Sequence, residues 1–178
     1  MKLFKCVLAA LLLLCSTIAY AQPVGNTRSI GNTQNEIMYQ GEVDLGYSIG
    51  VGLFATNRVN LHTVHGAKIN KHLSAGIGLG LDFYHEGDPL QIIMPIFLNV
   101  KGYYPINEKF SPYASLDLGY GLGVTDGLNG LSGFYWSPAI GVKYEKFKFQ
   151  IGYTSQSLSE SGVSLNMGAF QFRVGMVF

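Results

Sequence analysis

From Tyr39 onward, apolar residues occupy every second position in one stretch of the chain after another. Strict alternation of this kind is typical of a β-strand with two unlike faces. In the first stretch the odd positions hold residues such as Val43 and Leu45, and the even positions hold polar residues or glycine. The stretches with this pattern are 39–53, 58–69, 73–84, 90–104, 110–124, 133–144, 147–157 and 165–178. The pattern therefore predicts eight strands.

Short connectors rich in turn residues join these stretches, and no helical periodicity interrupts them. Short connections make successive strands antiparallel. Tight turns are predicted at 70–72, 105–109 and 145–146, and longer connectors at 85–89, 125–132 and 158–164. Every stretch has at least the roughly 9–11 residues that a tilted strand needs to cross a bilayer. The chain is thus predicted to be all-β, an eight-stranded up-and-down antiparallel barrel.

Composition decides which face of the strands meets lipid or water. Only 13% of the residues are charged, whereas a soluble exterior carries about 25–35%. The less apolar face consists largely of glycine, serine and alanine, which suit a narrow interior. Aromatic residues gather near the strand ends, as they do at the two surfaces of a bilayer. One group is Tyr39, Tyr104, Phe110, Tyr144, Phe147 and Phe178, and the other is Phe83, Phe134, Trp136 and Tyr153. These features favour a transmembrane barrel over a soluble, lipocalin-like binder of a lipophilic ligand.

The first 21 residues have the form of a secretory signal peptide. Lys2 and Lys5 precede an apolar stretch at 6–14, and small residues at the end of the segment predict cleavage after Ala21. Both cysteines lie within this segment, so the mature chain is predicted to contain no disulfide. Residues 22–37 are polar and predict a flexible leader, which leaves 38–178 for the barrel. The formal net charge of +1 gives no reason to expect a nucleic-acid partner.

The end of the chain carries a more specific pattern. Apolar residues occupy alternate positions up to a terminal aromatic residue, namely Phe170, Phe172, Val174, Met176 and Phe178. Together with the runs 95–104, 111–113 and 118–121, this end resembles the small porin-like and OmpA-like outer-membrane β-barrels of Gram-negative bacteria. The resemblance covers about residues 38–178. It implies an outer-membrane location, contact with outer-membrane lipids, and recognition of the five terminal residues by the barrel-assembly machinery.

Charged residues of both signs fall on the inward face of the predicted barrel. Asp44 on the first strand and Arg173 on the last are predicted to lie at similar heights on strands that become neighbours when the barrel closes. The full set proposed as a lumen network is Glu42, Asp44, Lys101, Asp117 and Arg173. Such residues could line a polar path for small solutes or form a buried ion-pair network that fills the lumen. The cost of burying unpaired charge favours the network.

The resemblance also leaves an enzymatic alternative, because related barrels include lipid A-modifying enzymes that use a histidine with a serine and an acid. The chain offers His62, His65, His72 and His85. His72 stands in a His-x-Ser arrangement with Ser74 but falls in a predicted tight turn, and His65 falls on the lipid-facing register. No metal-ligand spacing occurs, and no cofactor is expected. The sequence therefore predicts a non-enzymatic envelope protein, either a structural barrel or a narrow porin-like pathway with small solutes as partners.

Overall fold

A computed structural model describes residues 37–52, 55–85, 90–125, 131–160 and 163–178 of the 178-residue chain. The predicted signal peptide at 1–21, and the predicted leader as far as residue 36, lie outside the described residues. The strands are β1 (Met38–Val51), β2 (Arg58–Lys68), β3 (Leu73–Tyr84), β4 (Gln91–Tyr103), β5 (Phe110–Gly123), β6 (Ser132–Tyr144), β7 (Phe147–Glu160) and β8 (Val163–Val177). Their bounds lie within three residues of the predicted ones.

The eight strands form a closed antiparallel barrel in chain order. Each strand pairs with its neighbours in sequence, and β1 closes the ring by pairing with β8 from Glu42 opposite Val177 to Val51 opposite Gly168. Closure leaves no free sheet edge, so each strand of the barrel is hydrogen-bonded to a neighbouring strand on both sides. The predicted fold class is confirmed. Among the described residues, no helix is long and apolar enough to cross a membrane.

The connector between β7 and β8 differs from the prediction. The sequence predicts a longer loop at 158–164, but the ladder continues through Ser159 opposite Ser164 to Glu160 opposite Val163. That prediction is wrong because it relied on side-chain alternation, which fades where serine and other polar residues occupy both faces. Backbone hydrogen bonds need no such alternation, so the hairpin extends beyond the apolar part of the strands.

The apolar face of the barrel points outward. Large hydrophobic side chains such as Leu45, Leu98 and Ile140 are exposed, at 60–62% of their surface, whereas charged residues such as Glu42, Asp82 and Lys148 are buried inside. A soluble lipocalin-like barrel has the reverse arrangement, so this alternative is excluded. An exterior of this kind is stable only against lipid. The wall therefore meets the hydrocarbon of a bilayer, and the lumen holds the polar chemistry.

Two glycines on neighbouring strands give a test of how tightly the wall is packed. A Cβ at Gly119, which faces inward on β5, would lie 2.5 Å from the Cα atom of Phe97 and would also contact the carbonyl oxygen of Ile96. A Cβ at Gly102, which faces outward on β4, would have no atom within 4 Å. A side chain at position 119 would therefore clash with backbone atoms that cannot move aside, whereas a side chain at position 102 would not.

We expect Gly119→Val to lower the free energy of unfolding by about 2–3 kcal/mol, because added volume in a packed interior forces the backbone apart. Gly102→Val is the matched control, and it should change stability by no more than about 0.5 kcal/mol. Urea unfolding of both variants, refolded into lipid vesicles, measures the difference. Equal effects of the two substitutions would show that the wall at Gly119 is not close-packed.

Candidate functional site in the barrel lumen

Glu42 is the centre of a buried charge cluster near the end of the barrel that holds Met38 and Phe178, here named the lower end. Its Oε2 atom lies 3.0 Å from Lys101 Nζ and also pairs with Lys148. Lys148 Nζ makes a second ion pair of 2.8 Å with Asp44 Oδ2, and Gln40 donates to Glu42 Oε1 at 2.7 Å. The cluster thus ties together β1, β4 and β7 across the lumen.

A second group of ion pairs continues from this cluster. Lys101 Nζ donates to Asn99 Oδ1 at 2.5 Å, and Asn99 donates in turn to Asp117. Arg173 Nη1 donates to Asp117 Oδ2 at 3.1 Å, and Arg173 Nη2 donates to the Tyr135 hydroxyl at 3.0 Å. All of these charged groups are 4% exposed or less. The connected set, here named the lower network, is Glu42, Asp44, Asn99, Lys101, Asp117, Lys148 and Arg173.

The structure brings together the five charged residues singled out from the sequence, and Asp44 and Arg173 lie at similar heights on neighbouring strands without forming an ion pair with each other. The register places Asp44 opposite Gly175 and Arg173 opposite Gly46. Asp44 therefore pairs with Lys148 rather than with Arg173, because long side chains reach partners across the lumen as well as on the next strand. Lys148 and Asn99 complete the lower network but were not among the five residues singled out from the sequence. Asn99 could have been found from the sequence because it lies two positions before Lys101 and therefore on the same face of the strand.

A separate polar group lies nearer the other end of the lumen, here named the upper end. Asp82 accepts hydrogen bonds from Asn60 Nδ2 at 2.6 Å and pairs with His62 Nε2 at 2.8 Å. The Arg58 Nε atom lies 3.9 Å from Asp82 Oδ2, and Arg58 Nη1 donates to the Tyr84 hydroxyl at 2.9 Å. This upper network balances one arginine against one carboxylate.

Aromatic rings separate the two networks. Val64, Phe97 and Tyr135 form a buried apolar cluster inside the barrel. The rings of Phe97 and Tyr135 lie 5.6 Å apart, and the His62 ring lies 5.5 Å from Phe97. Phe97 is 2% exposed and Tyr135 is fully buried. The lumen at this height is thus filled by side chains, as expected for a barrel of eight strands.

The four histidines bear on the enzymatic alternative. His62 pairs with Asp82 inside the lumen, away from lipid. His65 faces outward, where its Nδ1 lies 2.6 Å from the Tyr39 hydroxyl and its Nε2 lies 3.0 Å from Thr63 Oγ1. His72 Nδ1 lies 3.2 Å from the backbone carbonyl oxygen of Tyr103, and the His85 ring lies 6.0 Å from the Tyr47 ring. In the described part of the chain, no serine hydroxyl contacts a histidine ring nitrogen.

The Thr63 hydroxyl also donates to the Glu42 carbonyl at 3.0 Å. It therefore accepts the Nε2–H of His65, whose Nδ1 accepts from Tyr39. Both ring nitrogens of His65 are thus engaged in hydrogen bonds to Tyr39 and Thr63, and neither is bonded to a serine. The described residues also contain no group of three histidine, cysteine or acidic side chains that could hold a metal ion.

The five residues proposed as an assembly signal all lie on the outer face of the closing strand. Phe170, Phe172, Val174 and Met176 are exposed in alternation along β8. Phe178 is held at the seam by two backbone hydrogen bonds with Gly41, of 2.8 and 2.9 Å, and its ring covers that glycine. Their recognition by the assembly machinery stays a prediction.

Comparisons with known proteins identify the fold. No protein-family model and no curated protein matches the sequence. The crystal structure of the Neisserial surface protein NspA matches with a TM-score of 0.61 and 12% identity, over 80% of this chain and 97% of that one. The outer-membrane enzyme PagL matches with a TM-score of 0.59 and 9% identity, over 75% of this chain and 97% of that one.

The structural neighbours include small outer-membrane barrels, and the described barrel shares their architecture. The shared fold and the apolar exterior support the outer-membrane location and the lipid environment predicted from the sequence. Sequence identities of 9–12% show only that the fold is shared. Since one of these two neighbours is a surface protein and the other an enzyme, function has to be argued from the residues of this chain.

Proposed function

We propose that the chain is a non-enzymatic outer-membrane barrel with a closed lumen, which serves as a structural component of the envelope. The observation that supports this proposal is the lower network, whose ion pairs join β1, β4, β5, β7 and β8 at 4% exposure or less. Charges that lined an open path would be hydrated and need no such pairing. Paired charges beneath a layer of packed rings instead close the lumen and fix the register of the strands.

The non-enzymatic part of the proposal rests on the histidines. A lipid-modifying site needs a base that faces the bilayer and activates a nucleophile. His65 alone is placed at the lipid-facing surface within a strand, and both of its ring nitrogens are already bonded. The barrel-assembly machinery and outer-membrane lipids are the partners that this proposal requires, and a small solute would be a partner only of an open lumen.

The purified protein, inserted into planar lipid bilayers, is expected to give no single-channel conductance steps, because Phe97 and Tyr135 occupy the lumen between the two networks. Insertion is verified independently by the altered electrophoretic mobility of the folded barrel. Reproducible steps whose size changes in Asp117→Asn or Arg173→Gln would contradict the closed lumen. They would instead establish the narrow solute pathway.

A further inference from the structure

The charges in the lower half of the lumen do not balance. Among the described residues, the inward-facing charges from the lower network to the lower end are five cations and three carboxylates. The cations are Lys68, Lys101, Lys143, Lys148 and Arg173, and the carboxylates are Glu42, Asp44 and Asp117. The upper network, by contrast, pairs Arg58 with Asp82. Two positive charges are therefore unmatched, and both lie toward the lower end.

The unmatched charges belong to Lys68 and Lys143. Lys101, Lys148 and Arg173 each make an ion pair with a carboxylate of the lower network. Neither Lys68 nor Lys143 lies within 4.0 Å of a carboxylate oxygen of any described residue. Both are partly buried, so the bulk solvent does not fully hydrate them. Two partly desolvated ammonium groups without a carboxylate partner among the described residues can bind an anion through charge-assisted hydrogen bonds.

Barrel topology brings the two lysines to one place. Lys68 is the last residue of β2, and Lys143 is next to last in β6, so both lie at the lower rim. β2 and β6 are four strands apart in a ring of eight, which places them on opposite walls. Both side chains enter the lumen at the lower rim from opposite walls, and their like charges repel each other, although the Glu42 carboxylate also attracts Lys143. This repulsion is relieved when an anion lies between them.

Hydrogen-bonding groups surround this opening. Ser74 pairs in register with Lys68, and Ser111 pairs in register with Lys143. The hydroxyls of Tyr103 and Tyr113 also point into the lumen near the lower end, where they bond to Gln40 at 3.0 Å and Gln150 at 2.9 Å. The opening, here named the lower mouth, consists of Lys68, Ser74, Tyr103, Ser111, Tyr113 and Lys143. Its two lysines and the hydroxyls of its serines can bind phosphate oxygens, whereas the Tyr113 hydroxyl already donates to Gln150.

The geometry points to an anion site in the lower mouth that holds one phosphate group between Lys68 and Lys143. A carboxylate supplies one negative charge, whereas a phosphate monoester carries about 1.5–2 near neutral pH, which matches the two unmatched cations. The phosphate belongs either to a free solute or to the headgroup of a lipid whose tails lie against the barrel wall. The site does not depend on whether the lumen above it conducts.

Isothermal titration of the folded protein with inorganic phosphate, in a phosphate-free detergent at fixed ionic strength, tests the site. We expect saturable binding of one phosphate per barrel. Lys68→Gln and Lys143→Gln should each weaken the affinity at least tenfold, and arginine at either position should retain it. Lys71→Gln is the matched control, because this exposed hairpin residue carries the same charge only three positions from Lys68. It should change the affinity less than twofold.

A second titration identifies the source of the phosphate. Micelles doped with phosphatidic acid should displace inorganic phosphate if the site accepts a lipid headgroup, and they should fail to do so if it accepts only a free solute. Absence of saturable binding in the wild-type barrel would overturn the proposal. So would an equal loss of affinity in Lys71→Gln, since it would show that phosphate follows the overall charge of the lower end. Circular dichroism of each variant verifies that the barrel is folded.

Discussion

Replacing Arg173 with leucine is expected to lower the free energy of unfolding by about 3–5 kcal/mol, which is the usual cost of removing one partner from a buried ion pair. Arg173 donates to Asp117 at 3.1 Å and to the Tyr135 hydroxyl at 3.0 Å. Leucine would leave the Asp117 carboxylate buried with the hydrogen bond from Asn99 but without its ion pair. Urea unfolding in lipid vesicles, followed by tryptophan fluorescence and electrophoretic mobility, measures the change.

The double variant Arg173→Leu with Asp117→Asn separates lost charge pairing from lost packing. An amide in place of the carboxylate no longer buries an unpaired charge, so the second substitution should recover about 2 kcal/mol of the loss. An unchanged unfolding midpoint in Arg173→Leu alone would remove the ion-pair interpretation of the lumen. A loss without recovery in the double variant would assign the effect of Arg173 to its volume.

Glu42→Gln is expected to have an effect of similar size, about 3–5 kcal/mol, because the substitution removes the ion pair of the buried Lys101 and leaves Lys148 with Asp44 alone. Lys101 Nζ lies 3.0 Å from Glu42 Oε2, and Lys148 pairs with the same oxygen. The substitution also raises the excess of positive charge in the lower half of the lumen. The change in shape is small, so electrostatics dominate the result.

Glu145→Gln is the control for this prediction. It removes the same charge from the ion pair that Glu145 forms with Lys109, at 2.8 Å, where the two side chains are 49% and 65% exposed. Exposed pairs of this kind contribute about 0–1 kcal/mol. The two glutamate variants are compared by the same urea titration. If they proved equally stable, the lower network would contribute no more than a surface ion pair.

Much of the architecture could be predicted because membrane-spanning strands produce a regular alternation of apolar and polar residues in the sequence. Val43 and Leu45 alternate with Glu42 and Asp44, and this period fixes which residues share a face. Lipid outside and a polar lumen inside make the two faces chemically unlike, so the alternation persists through all eight strands. The prediction failed at 158–164, where polar residues occupy both faces and the ladder nevertheless continues.

The partners within the lumen could not be predicted in this way. The sequence placed Asp44 and Arg173 on the inward face, but their pairing depends on the stagger between β1 and β8 and on the reach of Lys148 across the lumen. The rings of Phe97 and Tyr135 occupy inward positions that a search for alternating apolar residues passes over. Only the closed barrel, in which strands distant in sequence face each other across the lumen, shows that these rings separate the two polar networks.

The sequence by itself therefore determined the number of strands, their antiparallel order and the face that each residue occupies, because these follow from local periodicity and short connections. The tertiary structure alone decided which charges pair, that aromatic rings fill the lumen, and that Lys68 and Lys143 have no carboxylate among the described residues. These properties depend on barrel closure and stagger, which bring together side chains from strands distant in sequence.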